Sequence, residues 1–132
     1  SEWLKRDADI DDVRNLTKET AADIYQEFYI NRPKINLIQD EKLKILLFDC
    51  GVNSGSKTAI KLLQQCVGTK PDGILGAVTL GVIKAFDARE VRERFLNARL
   101  AYINNIITRH PEQIAFESGW KNRISALRKE YV

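Results

Sequence analysis

The sequence predicts a single all-α domain, on three observations. Apolar residues recur at helical spacing along most of the chain, and no stretch alternates in the manner of a strand. Residue types that cap helices stand before these stretches, and glycine or proline follows them. The chain has 132 residues, 44% hydrophobic and 30% charged, which is enough for one sizeable core at an ordinary globular balance. No internal repeat or low-complexity segment breaks the pattern.

Taken in order, "SEWLKRDADIDDVRNL" is short and acidic and reads as a loop with a helical turn. "LTKETAADIYQEFYI" reads as a helix: Thr17 caps it, Glu19 sits near the positive end of its dipole, and Ala21, Ile24, Tyr25 and Phe28 share a face. Pro33 ends it. Asp40 caps "EKLKILLFDCGVN". Its residues Leu43, Ile45, Leu46, Leu47, Phe48, Cys50 and Val52 cover nearly every side, the pattern of a central, buried helix. Gly51 costs such a helix roughly 1 kcal/mol against alanine, so its expected use is the close approach of a neighbouring backbone. Asn53 to Gly55 form the exit, with Gly55 free to take a positive φ.

Ser56 is expected to cap "KTAIKLLQQCVG", whose stripe is Ala59, Leu62, Leu63 and Cys66 and whose stop is Gly68. Pro71-Asp72-Gly73 signals a turn. Ile74 and Leu75 then dip into the core, and Gly76 opens "AVTLGVIKAF". Asp87 with Glu90 resembles a capping box and starts the longest helix, which ends at His110 before Pro111. Val91, Phe95, Ala98, Tyr102 and Ile106 line it, widened by Leu96, Ile103 and Ile107. "FESGWKNRISALRKEYV" closes the chain with a short helix carrying Trp120, Ile124 and Leu127.

Net charge is +3 and the pI about 8.9. This mild excess favours a polyanionic partner only modestly, a cell-wall polymer as much as a nucleic acid. Lys and Arg are mixed with Asp and Glu along the helices, which argues against a continuous phosphate-binding stripe, so no nucleic acid is expected. No apolar run approaches the ~18 residues of a membrane span. No signal peptide is visible, and the start at Ser1 rather than Met reads as a processed or shortened piece.

Cys50 and Cys66 have neither CxxC nor Cys/His spacing, so no metal or cofactor is expected. Buried free thiols are the first reading and a disulfide the second. Asp7, Asp9 and Asp11 have the spacing of a calcium loop's first ligands. The loop then fails, because Asp12 stands where its glycine should be and Lys18 where its bidentate glutamate should be. His110, the single histidine, suits a helix C-terminus better than catalysis. Trp3, Tyr25, Tyr29 and Trp120 have rings that can stack on sugars or bases, although Tyr25 and Trp120 are expected to be mostly buried.

The informative pair is Asp49 and Asn53, four apart and therefore on one face of an otherwise greasy helix. A buried carboxylate needs partners, so this stripe must meet water, a protein group or a ligand. One reading has Asn53 cap the helix end with Asp49 bonded to a backbone amide. The other has Asp49, Asn53, Ser54 and Gly55 form the polar floor of a cleft that binds a sugar. Asp49 is the one acid in a largely apolar setting, where its pKa can rise.

The stretch "LLFDCGVNSGSKTAIKLLQQCVGTKPDGILGAVTL" resembles the peptidoglycan-binding region of the glycoside hydrolase family 108 muramidases, which are endolysin-like lysozymes, some labelled secretion activators. The matching positions are Phe48, Asp49, Val52, Asn53, Gly55, Ala59, Leu62, Leu63, Gln64, Gly68, Asp72, Gly73, Gly76 and Thr79. "LTKETAADIYQEFYI" and "GWKNRISAL" resemble the family's preceding helix and closing segment. The resemblance implies a lysozyme-like helical fold over 1–132, with 1–47 the remainder of the lysozyme-like lobe and 48–132 the peptidoglycan-binding region. It implies glycan strands as partner, hydrolysis after N-acetylmuramic acid in the parent enzyme, and action at the cell wall, in the periplasm or envelope.

The family's "E-G-G" segment with its catalytic glutamate has no counterpart here, and Glu2 is not given that role. This chain is therefore expected to bind glycan weakly through Asp49, Asn53, Ser54 and Gly55 and not to cleave it. Asp72, Gly73 and Gly76 are expected to shape a turn. A stand-alone, non-catalytic binding module is the alternative within the same field, and a basic nucleic-acid-binding or interaction domain the alternative outside it.

Overall fold

A computed structural model describes residues 23–24, 26–27, 29 and 33–132. Thr17, Ala21, Tyr25 and Phe28 of the first expected helix, Trp3, and the acidic string Asp7, Asp9 and Asp11 lie outside the described residues. Among the described residues the fold is all-α: five helices and no strand. They are α1 Glu41–Ser54, α2 Ser56–Val67, α3 Ala77–Ala85, α4 Ala88–Arg109 and α5 Glu117–Tyr131. Short 3-10 turns at Ile35–Leu37 and Pro111–Phe116 precede α1 and α5. None of these helices is long and apolar enough to cross a membrane.

The longest helix, α4, is the hub: α1, α2, α3 and α5 all pack on it. Its Val91, Phe95, Leu96 and Ile103 are sealed from water together with Leu43, Leu46, Leu47 and Cys50 of α1. Ala59, Ile60, Leu62 and Leu63 of α2 and Ile124 and Leu127 of α5 complete this core. Burial of apolar surface at roughly 25 cal/mol per Å² is the main force that holds the helices together.

The helix boundaries follow local chemistry. The Asp40 carboxylate accepts from the Lys42 amide at 3.3 Å, and the Asp87 carboxylate from the Glu90 amide at 3.3 Å. Only half of the expected capping box forms, because Glu90 pairs with Arg94 at 2.9 Å instead of reaching back. Gly68 ends α2 in the left-handed region at φ 82°, where an L side chain would be strained. Gly55, at φ 95°, both ends α1 and precedes α2. Ser56 is thus the first helical residue and makes no capping bond, against the expectation that it caps. The expected close approach at Gly51 is not seen: a Cβ there would stand 3.4 Å from Ser56 Oγ, 3.6 Å from the Ser56 Cα and 3.7 Å from the Tyr29 ring, all ordinary contact distances.

Two apolar expectations fail. The helix α1 is not buried all round, since Ile45 and Val52 are 41% and 43% exposed. They sit seven apart, about two turns, on the side of α1 opposite Leu43, Leu46, Leu47 and Cys50. Leu75 enters the core, but Ile74 beside it points outward.

The reason lies in a polar staple missed by the sequence reading. Gln64 is buried on α2, and its amide nitrogen lies 2.9 Å from Asp72 Oδ1, 2.9 Å from the Ile74 carbonyl and 3.2 Å from Thr79 Oγ1. Its oxygen accepts from the Gly73 amide at 2.9 Å. Both peptide groups of Ile74 are held in this way, since its own amide donates to Asp72 Oδ1 at 2.9 Å. The backbone is fixed and the side chain turns out.

Candidate functional site

The site begins with the stripe that α1 shares between core and solvent. Asp49 points at α4 and α5. Its Oδ2 accepts from Arg99 Nη1 of α4 at 2.7 Å, and its Oδ1 from Arg123 Nε of α5 at 3.1 Å and from Arg123 Nη2. The Asp49 and Arg99 side chains are almost closed to water, at 11% and 6% exposure, while Arg123 is 55% exposed. Burial pushes the Asp49 carboxyl up, but the hydrogen bonds from Arg123 and Arg99 and their two charges outweigh it, so its pKa lies below the usual carboxylate value. The expectation of a raised pKa is therefore corrected. The apolar setting is real, but α4 and α5 bring two cations into it. Asp49 is bonded to side chains, not to the backbone amide of the alternative reading.

Asn53 stands one turn later and is exposed. Its Nδ2 donates to the Asp49 carbonyl at 3.0 Å and lies 3.5 Å from the carboxylate. That internal bond fixes the side chain and leaves its oxygen with no donor from the described residues.

Two hollows adjoin here. One, of about 300 Å³, is lined by Asp49, Val52, Asn53, Arg99, Trp120 and Arg123. The other, of about 200 Å³, is lined by Asn53, Ser54, Arg99, Tyr102, Ile103, Ile106 and Trp120. Asn53, Arg99 and Trp120 line both, so the two are neighbours. Trp120 is mostly buried, as expected, with one part left at the surface, and its ring stacks on exposed Phe116 with centroids 5.7 Å apart and planes at 25°.

Three of the four sequence-derived site residues thus meet: Asp49 and Asn53 in the first hollow, Asn53 and Ser54 in the second. Gly55 lines neither and serves the turn between α1 and α2. Tyr29 is also elsewhere, edge-on to Phe48 at 6.0 Å. His110 caps α4, exposed, with Nδ1 3.3 Å from Glu112. Arg99 and Arg123 were missed. The signal for Arg99 is a cation in the stripe Phe95, Leu96, Ile103, where only an acid from another helix would make it tolerable.

Among the described residues no three metal-ligating side chains cluster. Both cysteines are free thiols. Burial pushes Cys50 up to about 11 and Cys66 up to about 12, and Cys66 also reaches the Leu63 carbonyl at 3.1 Å.

Comparison with known proteins places these features. The family described as Glycosyl hydrolase 108 matches residues 1–55, and that described as Predicted Peptidoglycan domain matches residues 58–125. Among solved structures, SagA of Brucella abortus is similar at 30% identity and a TM-score of 0.82, over 99% of this chain and 72% of that one. No curated protein matches the chain in sequence. The helical core, the Gln64 staple across the Asp72-Gly73 turn and these matches agree: the chain belongs to the glycosyl hydrolase 108 family and carries the peptidoglycan-recognising part of a muramidase-type protein that acts at the cell wall.

Proposed function

We propose that the neighbouring hollows at Asn53 and Trp120 receive a peptidoglycan glycan strand, and that this chain binds the strand without cleaving it. The observation that carries the reading is the composition of the walls: an open carboxamide, a hydroxyl and an aromatic face converge on a concave surface. In this reading the Asn53 oxygen accepts from an acetamido N–H or a hydroxyl of the sugar. Ser54 serves the second hollow. Trp120, backed by Phe116, offers an apolar face to the sugar ring. Asp49 acts one layer behind by holding Arg99, Arg123 and Asn53 in place, and Gly55 sets the turn that ends the floor.

Cleavage is the weaker reading for these residues. Glycoside hydrolysis needs a carboxylic acid that is protonated beside the scissile oxygen. Asp49, ionised between two guanidinium groups, does not provide one.

We further propose that 1–132 works as a single unit, with 48–132 contributing the peptidoglycan-binding region. The packing of α1, which falls within the first matched segment, onto α2 and α4, which fall mainly or wholly within the second, supports this. The site of action proposed is the periplasm or envelope. Nucleic acid is not proposed as a partner, since Lys and Arg are mixed with Asp and Glu along the helices and form no continuous phosphate-binding stripe.

Sedimentation with purified, insoluble peptidoglycan tests the binding reading. The wild-type chain is expected to co-sediment, and Asn53→Ala and Trp120→Ala to remain largely in the supernatant with unchanged circular dichroism. Equal co-sedimentation of all three would remove the site. Release of soluble muropeptides by the 132-residue chain would overturn the non-cleaving half.

A further inference from the structure

We infer that the same hollow contains an anion subsite, formed by Arg99 and Arg123, which takes a carboxylate of the muramoyl unit or of its peptide stem. The inference rests on the glycan-docking reading and adds to it the chemical feature that is recognised.

The charges in the hollows do not balance. The residues that line the two hollows include one carboxylate, Asp49, and two guanidinium groups, Arg99 and Arg123. One positive charge is left over in a concave, partly desolvated place, where it attracts an anion more strongly than on an open surface.

Nor are the guanidinium donors used up. A guanidinium carries more N–H donors than one carboxylate oxygen can use. Asp49 engages a single nitrogen of Arg99 and two of Arg123. No other acceptor among the described residues bonds either group. Yet among the described residues no buried side-chain nitrogen is left without a partner, so the remaining donors of Arg99 are not closed off from solvent, and Arg99 lines the hollow. Nη1 of half-exposed Arg123 is open as well.

The donors are also held rigidly. Arg99 is 5% exposed and pinned by Asp49, so its unused donors are held in place before a ligand arrives. Preorganised, charge-assisted donors suit a planar carboxylate. The neighbouring Asn53 and Trp120 suit the sugar that bears it. A neutral sugar alone would leave the surplus charge unanswered.

Calorimetric titration of the 132-residue chain with three disaccharides tests this. The first is N-acetylglucosaminyl-N-acetylmuramic acid with its lactyl carboxylate free. The second is the same compound with that carboxylate as a simple amide. The third carries an L-alanyl-D-glutamate stem, so that the lactyl group is amidated and the stem carboxylates are free. At least one acid is expected to bind about tenfold or more tightly than the neutral amide, and Arg123→Gln is expected to erase that margin. Which acid shows the margin identifies the carboxylate.

If all three bind alike and Trp120→Ala weakens all of them, glycan docking stands and the anion subsite is refuted. A margin that survives Arg123→Gln refutes it too. If none binds and the chain also fails to co-sediment with peptidoglycan, both readings fall.

Discussion

Asp49 Oδ2 and Arg99 Nη1 lie 2.7 Å apart, in a pair of side chains almost closed to water. The contact joins α1 to α4. A second contact of the same kind lies further along these helices: the Asp40 carboxylate, before α1, meets Arg92 Nη1 at 2.7 Å. Arg92 and Arg99 are seven apart on α4, and Asp40 and Asp49 are nine apart along α1 and its cap. The hub helix is thus pinned to α1 at both ends of their contact. At the Asp49 end the pin also builds the hollow, because Arg123 of α5 joins the same carboxylate. Stability and site are one piece of chemistry there.

Removing the Asp49 charge should therefore be expensive. Breaking one partner of a buried pair strands the other, and Asp49→Asn is expected to cost about 3 kcal/mol in urea unfolding. Replacing Asp49 and Arg99 together by Leu and Met is expected to cost much less, since no buried charge is left alone. Equal losses in the single and double variants would show that the ion pair is not what matters.

The same pair sets a pH dependence. The folded-state pKa of Asp49 is lowered, so the unfolded chain binds the proton more readily. Its stabilising contribution is complete above the ordinary carboxylate value of about 4. It is lost as pH falls from there through the lower folded value. Urea midpoints of the wild type are expected to drop over that window, and those of Asp49→Asn to drop less. Parallel curves for the two proteins would contradict the assignment.

Gln64 offers a test of the staple that shapes the Asp72-Gly73 turn. Gln64→Leu keeps the volume and removes the bonds to Asp72, Gly73, Ile74 and Thr79. The expected loss is about 2 kcal/mol, the cost of leaving buried groups such as the Gly73 amide unpaired. Hydrogen exchange at Gly73 is expected to accelerate, and exchange at Leu47 in the core to follow only the global change. Unchanged exchange at Gly73 would mean that the turn stands without Gln64.

Thiol chemistry gives a fourth expectation. With Cys50 at about 11 and Cys66 at about 12, both are protonated and shielded near neutrality. A disulfide-exchange reagent at pH 8 is expected to label neither quickly in the native chain and both after denaturation. Rapid native labelling of Cys50 would place it outside the core.

Much of this architecture is legible in the sequence where the signal is local. Asp40, Asp87, Gly55 and Gly68 mark helix ends because capping and positive φ depend on a few adjacent residues. The opposition of Ile45 and Val52 to the core is less legible: helix α1 is apolar all round, and only its neighbours decide which side is covered. Arg99 and Arg123 illustrate the limit. Asp49 stands out in the sequence as an acid in an apolar setting, but its partners lie 50 and 74 residues away. Periodicity within one helix does not say which other helix it will face. Trp120 falls in the same class: it shares a face with Ile124 and Leu127, yet its place beside Arg99 and Asn53 depends on how α5 crosses α1 and α4.

The decisive observation is where glycan meets the chain. Nuclear magnetic resonance titration with the free-acid muramoyl disaccharide reads this directly. The largest shifts are expected at the Asn53 side-chain amide, the Ser54 backbone amide and the Trp120 indole N–H, with the Ile83 and Gly73 amides unmoved. Shifts that leave those three signals in place and cluster around α3 would contradict the central claim.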